Sequence, residues 1–201
     1  MKWRTPILPY LAVGLGIFWF RNAWIALIGF HMAILVAVLV ARSRVPIQIL
    51  FMSSDARWLL LSVLLCGSSG VSLHLLRPYF GITSDLSSQV ETLGLTKSAW
   101  PSFIGYFVLV NPFVEEYFWR GVLGNTTSRL YSSDFLYAGF HALIMIGKIQ
   151  ISAIVCSLIV LVIAGWFWRQ IGREDKGLLA AVLGHMAADL TILLAVYQMA
   201  S

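Results

Sequence analysis

Two adjacent carboxylates and a guanidinium interrupt an apolar, aromatic run in the middle of the chain. Glu115, Glu116 and Arg120 lie between Asn111 and Gly121, in a stretch whose other residues are mostly apolar or aromatic. If this stretch lies in a bilayer, each charged side chain near the centre costs roughly 2.5–3.5 kcal/mol to insert. This cost indicates that the three groups have partners or a function.

The same spacing joins polar residues in three separate apolar segments. Tyr137 and His141 are four residues apart, and so are His185 and Asp189. Side chains at this spacing lie on one face of a helix, one turn apart. Each segment is therefore predicted to carry its polar pair on one face.

On the first of these helices, the two glutamates are expected to differ. Glu116 and Arg120 are four residues apart and are predicted to neutralise each other, whereas Glu115 points about 100° away from that face. An unpaired Glu115 in a low-dielectric cavity suits a general base or acid near neutral pH. Pro112 removes a backbone hydrogen bond one turn earlier, so we expect a kink or an opening in the helix wall.

The elements that position these residues are predicted to be membrane-spanning helices. Hydrophobic residues make up 59% of the 201 residues, charged residues 11%, and the mean hydropathy is +0.84. This composition predicts an all-α, polytopic transmembrane bundle of seven or eight spans in a single domain, residues 1–201. The net charge of +5 does not indicate nucleic-acid binding, because the basic residues are scattered singly between apolar runs.

The hydrophobic runs and turn residues divide the chain into seven predicted spans, with residues 42–57, 77–100 and 169–176 as the main loops. Residues 86–95 are predicted to form an amphipathic helix on the membrane surface. The spans are residues 7–20, 23–41, 58–76, one that begins at 101 and contains the glutamates, 135–147, 149–168 and 178–199.

The distribution of positive charge predicts a cytoplasmic amino terminus. We expect an integral multi-pass protein of a prokaryotic cell membrane, with its ionisable groups at similar depth toward the cytoplasmic side. The residues predicted inside are Lys2, Arg4, Arg42, Arg44, Arg57, Arg129, Arg169, Arg173 and Lys176, against Arg21, Arg77, Lys97 and Lys148 outside.

Other polar residues in the spans are interpreted as structural. His31 is expected to be a packing or hydrogen-bonded residue. The sequence Gly67-Ser68-Ser69-Gly70 has the form found around the serine of rhomboid-type proteases, but small residues in membrane helices usually mark close packing, which is the interpretation we favour. Cys66 and Cys156 have no metal-binding or redox spacing and are also interpreted as structural.

Two interpretations of the buried ionisable groups do not involve hydrolysis. They could hold the bundle together, but interhelical hydrogen bonds in membranes average about 0.6 kcal/mol, well below the insertion cost. They could also form the pathway of a proton or ion transporter or channel, for which buried Glu, His and Asp are equally suitable.

Taken together, the three motifs resemble those of the CAAX-protease and bacteriocin-processing (CPBP, or Abi) family of intramembrane glutamic endopeptidases. The family pattern is EExxxR, FxxxH and HxxxN or HxxxD, and it is matched here by Glu115-Glu116-x-x-x-Arg120, Tyr137-x-x-x-His141 and His185-x-x-x-Asp189. The resemblance covers about residues 101–193. It implies hydrolysis of a peptide bond in a membrane-associated protein or peptide.

Carried over to this chain, the resemblance assigns a role to each motif residue. Glu115 would activate a water molecule with help from His141, and His185 and Asp189 would stabilise the oxyanion. Glu116 and Arg120 would be the supporting pair. Family members are associated with prenylated carboxy-terminal tails, bacteriocin maturation or immunity, and sorting signals, and some relatives are considered non-catalytic membrane scaffolds.

Two positions depart from the most common family pattern. Tyr137 replaces phenylalanine and adds a hydroxyl able to bond His141. Asp189 replaces asparagine; an ionised aspartate cannot donate to an oxyanion, so it must be protonated or must instead orient His185. We predict no cofactor; a zinc ion held by Glu115, His141 and His185 is the alternative.

Overall fold

The computed structural model of the protein describes residues 4–82 and 85–200, and every regular element in these ranges is helical. The predicted all-α class is therefore confirmed for the described residues. Lys2, used above for the orientation, and residues 83 and 84 of a predicted loop lie outside them. The α-helices are α1 (Ile7–Gly14), α2 (Ala23–Ala41), α3 (Ala56–Gly67), α4 (Ser69–Leu76), α5 (Leu86–Thr92), α6 (Trp100–Glu116), α7 (Ser132–Gly139), α8 (His141–Met145), α9 (Ile151–Asp175) and α10 (Leu179–Ala200).

Four described segments are long and apolar enough to cross a membrane, namely Ala23–Ala41, Ala56–Tyr79, Ile151–Asp175 and Leu179–Ala200. A further apolar helix, Ile7–Trp19, is shorter. Only 17% of the apolar window of α9 is buried within the protein. Apolar side chains that face away from the protein are expected where a helix contacts lipid. The number of spans, seven or eight, and their orientation remain predictions.

The first two predicted spans form a helical hairpin with its turn at the predicted position. α1 continues as a π-helical turn, Leu15–Trp19, and α2 begins after Asn22. Arg21 adopts a left-handed conformation with φ of 48°. The Asn22 side chain accepts a hydrogen bond from the backbone N–H of Ile25, which caps the first turn of α2.

Helix α6 carries the two glutamates at its end and then changes its geometry. The α-helical assignment continues through Pro112 to Glu116, and residues Tyr117–Val122 follow as a π-helix. The change from α geometry therefore comes after the glutamates. Gly124 closes this turn: a Cβ atom there would lie 1.9 Å from the carbonyl oxygen of Arg120, a contact that only glycine avoids.

Small residues let α10 pack closely against α3 and α4. A Cβ atom on Gly184 would lie 1.9 Å from the Ser62 hydroxyl, and one on Gly70 would lie 2.2 Å from the Thr191 carbonyl. Gly70 also donates its N–H to the Thr191 hydroxyl at 3.2 Å. The packing interpretation of residues 67–70 is thus confirmed. This contact places the face of α10 that carries His185.

The prediction that residues 169–176 form a charged loop is wrong, because α9 continues as a helix to Asp175. Arg169 is buried, and its guanidinium bonds both oxygens of Asp134 on α7, at 3.0 and 2.7 Å. A charge-rich stretch usually indicates exposure to water. At Arg169, the charge instead has a buried carboxylate partner, and the pair joins α9 to α7.

Candidate active site

Glu116 lies at the centre of a buried ion-pair cluster at the end of α6. Its Oε1 atom is 3.1 Å from Nη1 of Arg120, which is the predicted pairing one helical turn apart. The same oxygen is 2.8 Å from Nδ1 of His185 on α10. Glu116 therefore holds the third motif against the first as well as neutralising Arg120.

Arg120 lies between two aromatic rings. Its guanidinium carbon is 3.9 Å from the centroid of the Tyr137 ring and 5.1 Å from that of Trp168. A cation over an aromatic face is stabilised by the ring quadrupole, more so where water is excluded. Neither Nη atom has a well-aligned hydrogen bond to another group in the described residues, although Nη1 keeps its ion-pair contact with Glu116.

Glu115 is also buried and, as predicted, Arg120 pairs with Glu116 and not with it, but its carboxylate has two hydrogen-bond donors that were not predicted. Asn111 donates a hydrogen bond from Nδ2 to Oε1 at 2.9 Å, and Trp119 donates from Nε1 to Oε2 at 3.1 Å. Asn111 lies one turn before Glu115 and Trp119 one turn after it. Both donors are neutral, so Glu115 is hydrogen-bonded without an adjacent neutralising cation on its own helix.

The Trp119 indole is held in place by other aromatic rings. It stacks on Phe140 with ring centroids 6.0 Å apart and an angle of 9° between the planes, and it contacts Phe118 edge to face. Trp119 and Phe118 are almost fully buried. The indole N–H that supports Glu115 therefore comes from a rigid aromatic cluster.

Asn111 is the site residue that the sequence analysis missed. In addition to Glu115, its Nδ2 atom donates to Oδ2 of Asp189 at 3.3 Å. Its Oδ1 atom lies 3.1 Å from Nε2 of His31 on α2, so the prediction that His31 is hydrogen-bonded is confirmed. The four-residue spacing between Asn111 and Glu115 could have predicted that their side chains meet on one helix face.

His185 is placed between two carboxylates. Its Nδ1 atom faces Glu116, and its Nε2 atom is 3.5 Å from Oδ1 of Asp189. The ring stacks on Trp168, with centroids 4.7 Å apart. The Asp189 side chain remains 14% exposed, whereas that of His185 is 3% exposed, so Asp189 lies on the more accessible side of the site.

His141 lies near the other motifs but is connected to them differently. The predicted fifth span is interrupted at Phe140, between α7 and α8, and His141 is the first residue of α8. Its Nδ1 atom is 3.0 Å from the main-chain carbonyl oxygen of Tyr137. The hydrogen bond between these two residues therefore uses the main chain of Tyr137 and not its hydroxyl group. Because a carbonyl oxygen only accepts, Nδ1 is the donor in this bond, and in the neutral ring Nε2 keeps its lone pair.

The Tyr137 ring joins the second motif to the other two. It contacts the His141 ring at 5.1 Å between centroids and the His185 ring at 6.0 Å, both edge to face. Among the described residues, no direct hydrogen bond links His141 to Glu115. The six predicted site residues thus form one cluster, in which His141 is joined through aromatic contacts.

In residues 4–82 and 85–200, no three His, Cys, Asp or Glu side chains are grouped as metal ligands. The zinc alternative with Glu115, His141 and His185 remains a prediction for experiment. The side chains of Glu115 and His185 are occupied by hydrogen bonds within the protein.

Comparison with known proteins identifies the part of the chain that carries this cluster. No curated protein and no solved structure matches the chain. Residues 97–191 match the family described as type II CAAX prenyl endopeptidase Rce1-like. The match includes all three motifs and excludes α2 with His31. It confirms the resemblance drawn from the motifs: the motif-bearing region of this chain is similar to the Rce1-like CAAX protease family.

Proposed function

We propose that this protein is an intramembrane endopeptidase in which Glu115 activates the water that attacks a peptide bond. The observation that carries the proposal is the buried convergence of three motifs from α6, α7–α8 and α10 within the region that matches a protease family. Three ionisable motifs in an apolar bundle carry a high insertion cost, which a catalytic role explains.

Glu115 has the environment that a general base requires. Its two oxygens each accept one hydrogen bond, from Asn111 and Trp119, and a carboxylate has further lone pairs available for a water proton. The two donors fix the carboxylate orientation without a permanent positive charge that would weaken its basicity. Positioned general bases contribute typically 10²–10⁴-fold to a rate.

His141 would assist through its free ring nitrogen. The bond from Nδ1 to the Tyr137 carbonyl leaves Nε2 as an acceptor, so this atom can accept a hydrogen bond from the water or shuttle its proton toward the leaving amine. His141 is half-buried and Glu115 almost fully buried, which is consistent with substrate entering from the His141 side.

His185 is the proposed donor to the oxyanion, and Asp189 its orienting partner. Nδ1 is engaged by Glu116, whereas Nε2 has only a long 3.5 Å contact with Asp189. An N–H at Nε2 therefore has only a weak partner in the protein and is available to donate to a substrate oxygen, while the two carboxylates stabilise the charged ring. Of the two roles open to Asp189, this geometry supports orientation of His185. Removing one such donor typically costs about 10²–10³-fold in kcat.

The proposed substrate is a membrane-anchored protein or peptide. The matched family is named for CAAX prenyl endopeptidases, so a farnesylated CAAX peptide is the first probe, with the same peptide lacking the farnesyl group as the comparison. Cleavage of either peptide supports the endopeptidase proposal, and the ratio of the two rates measures how much the lipid contributes to recognition.

The decisive variant is Glu115→Gln, which keeps the shape of the side chain and removes its basicity. In proteoliposomes, we expect the cleavage rate to fall at least 10²-fold, with an unchanged melting temperature. The matched control is Glu91→Gln, since Glu91 is exposed on α5. Cleavage by Glu115→Gln at the wild-type rate would exclude the glutamate mechanism.

Two further measurements separate the alternative interpretations. A metal chelator is expected to leave the cleavage rate unchanged, whereas a zinc mechanism requires loss of activity and recovery on adding zinc. Proton or ion flux in the same liposomes, abolished by Glu115→Gln without any peptide cleavage by the wild type, would instead support a transporter. A wild type that neither cleaves nor transports, but still inserts, would support a scaffold.

A further inference from the structure

A directed hydrogen-bond chain reaches the two carboxylates Glu115 and Asp189 from outside the family-matched motifs. It consists of Tyr106 on α6, His31 on α2 and Asn111 on α6. The Tyr106 hydroxyl is 3.2 Å from Nδ1 of His31, and Nε2 of His31 is 3.1 Å from Oδ1 of Asn111. His31 and Asn111 are 5% and 1% exposed, so water cannot readily replace these bonds.

The two carboxylates at the end of the hydrogen-bond chain determine the direction of every bond in it. Nδ2 of Asn111 faces oxygens of Glu115 and Asp189, and ionised carboxylates only accept. The amide oxygen must then face His31, so Nε2 of His31 carries the proton. Nδ1 is left with a lone pair, which accepts from the Tyr106 hydroxyl. Bonds aligned in one direction polarise and strengthen one another.

The alternative orientation of the Asn111 amide would be unfavourable. A flip by 180° would turn its oxygen toward two carboxylates and leave the N–H of His31 without an acceptor. A buried donor without a partner costs about 1–3 kcal/mol. His31 therefore selects the amide orientation in which one NH₂ group holds both carboxylates.

We propose that His31 is a positioning residue for the hydrolytic site, acting through the Asn111 amide to hold Glu115 and Asp189 in a fixed arrangement. This inference rests on the proposed function of Glu115. It also gives an amide donor to a site whose third motif has aspartate in place of asparagine. A residue of α2, outside residues 97–191, thereby helps to position the catalytic carboxylates.

The first test does not depend on activity. The chain has four histidines, so ¹⁵N-histidine NMR spectra can be assigned with one variant for each. We expect His31 to be protonated at Nε2 in the wild type, and its signals to change in Asn111→Ala. A neutral His31 protonated at Nδ1, or signals unaffected by Asn111→Ala, would overturn the inference even if no substrate is cleaved.

The second test measures cleavage of whichever probe peptide the wild type accepts. We expect His31→Phe to lower kcat about 10- to 100-fold, because a misplaced general base slows the chemical step. KM should be unchanged, because His31 does not contact the substrate. His31→Gln retains an N–H donor and is expected to restore part of the rate. His74→Phe, which replaces an exposed histidine, is the matched control.

The outcomes separate this inference from the proposed function. If the wild type cleaves and Glu115→Gln does not, but His31→Phe keeps the wild-type kcat or changes only KM, the positioning role is wrong and the glutamate mechanism stands. If His31→Phe does not fold, Tyr106→Phe replaces it. That variant removes only the hydroxyl donor at the far end of the hydrogen-bond chain, and we expect a smaller loss of kcat, of about 2- to 10-fold. An unchanged kcat would contradict the proposed role of the hydrogen-bond chain.

Discussion

Two buried arginine–carboxylate pairs in this protein are built in opposite ways. Arg169 and Asp134 join α9 to α7, and Arg120 and Glu116 lie in the candidate active site. Each arginine side chain is 3% exposed, and each carboxylate is almost fully buried. The burial is therefore the same, and the difference lies in the number of hydrogen bonds.

Every nitrogen of the Arg169 guanidinium has an acceptor. Nε and Nη2 bond the two oxygens of Asp134, and Nη2 also donates to the carbonyl oxygen of Arg129. Nη1 donates to the carbonyl oxygens of Asn125 and Thr127, at 3.2 and 2.6 Å. This arginine holds the connection between α6 and α7 in one conformation, as expected of a buried ion pair that offsets its desolvation cost.

Arg120 has a single ion-pair contact and two aromatic rings instead. Oε2 of Glu116 likewise has no hydrogen-bond partner among the described residues. A pair that leaves buried polar atoms unsatisfied is a poor device for stability alone, since each such group costs about 1–3 kcal/mol. The comparison indicates that the Arg169 pair stabilises the fold, and we propose that the Arg120 pair serves instead to place the Glu116 carboxylate beside His185.

The largest expected effect tests the first half of this comparison. Arg169→Ala leaves Asp134 buried without its ion-pair partner, and breaking a buried pair in this way typically costs about 3–5 kcal/mol. We expect a strong loss in the free energy of unfolding, measured in detergent. Arg173→Ala is the control on the same helix, because Arg173 pairs with Glu174 at the surface, and it should cost less than about 1 kcal/mol. Equal effects of the two variants would contradict the structural role of Arg169.

A conservative replacement made at both arginines distinguishes the two pairs. Lysine has no planar fork and cannot reproduce all the hydrogen bonds of Arg169, so Arg169→Lys should lower the free energy of unfolding by about 2–3 kcal/mol. Arg120→Lys keeps a cation beside Glu116 and near the Tyr137 ring and removes no well-aligned hydrogen bond, so we expect it to cost less than Arg169→Lys. If Arg120→Lys were the more destabilising of the two, the assigned roles would have to be exchanged.

The pairing of Glu116 with Arg120 was predictable because it is local. Both residues lie on one continuous helical segment, and four-residue spacing defines their contact before any tertiary structure is known. The same reasoning predicted the shared faces of the second and third motifs. Hydrophobic runs likewise predicted the helices, including the hairpin turn at Arg21 and Asn22.

The pairing of Arg169 with Asp134 was not predictable, because it joins residues 35 positions apart. A charge-rich stretch after an apolar run resembles a loop, and only the packing of α9 on α7 shows that Arg169 is buried. Asn111 was missed for a related reason. Its role depends on Asp189 and His31, which are brought to it by two other helices.

A smaller effect is expected from the contact that places His185 beside Glu116. A methyl group at Gly184 would lie 1.9 Å from the Ser62 hydroxyl, so Gly184→Ala must push α10 away from α3. Overpacking of this kind typically costs about 1–3 kcal/mol. We expect a lower melting temperature and a reduced cleavage rate, because the shift moves His185 relative to its 2.8 Å contact with Glu116.

The Gly184 prediction has a control and a rescue within the chain. A methyl group at Gly105 on α6 would meet no neighbouring heavy atom within 4 Å, so Gly105→Ala should be neutral or stabilising, by about 0.4–1 kcal/mol. Adding Ser62→Ala to Gly184→Ala removes the nearest clashing atom and should recover part of the stability, because the effects of substitutions at residues in contact are not additive. Recovery of stability without recovery of cleavage would show that the function of His185 depends on more than its distance from Glu116.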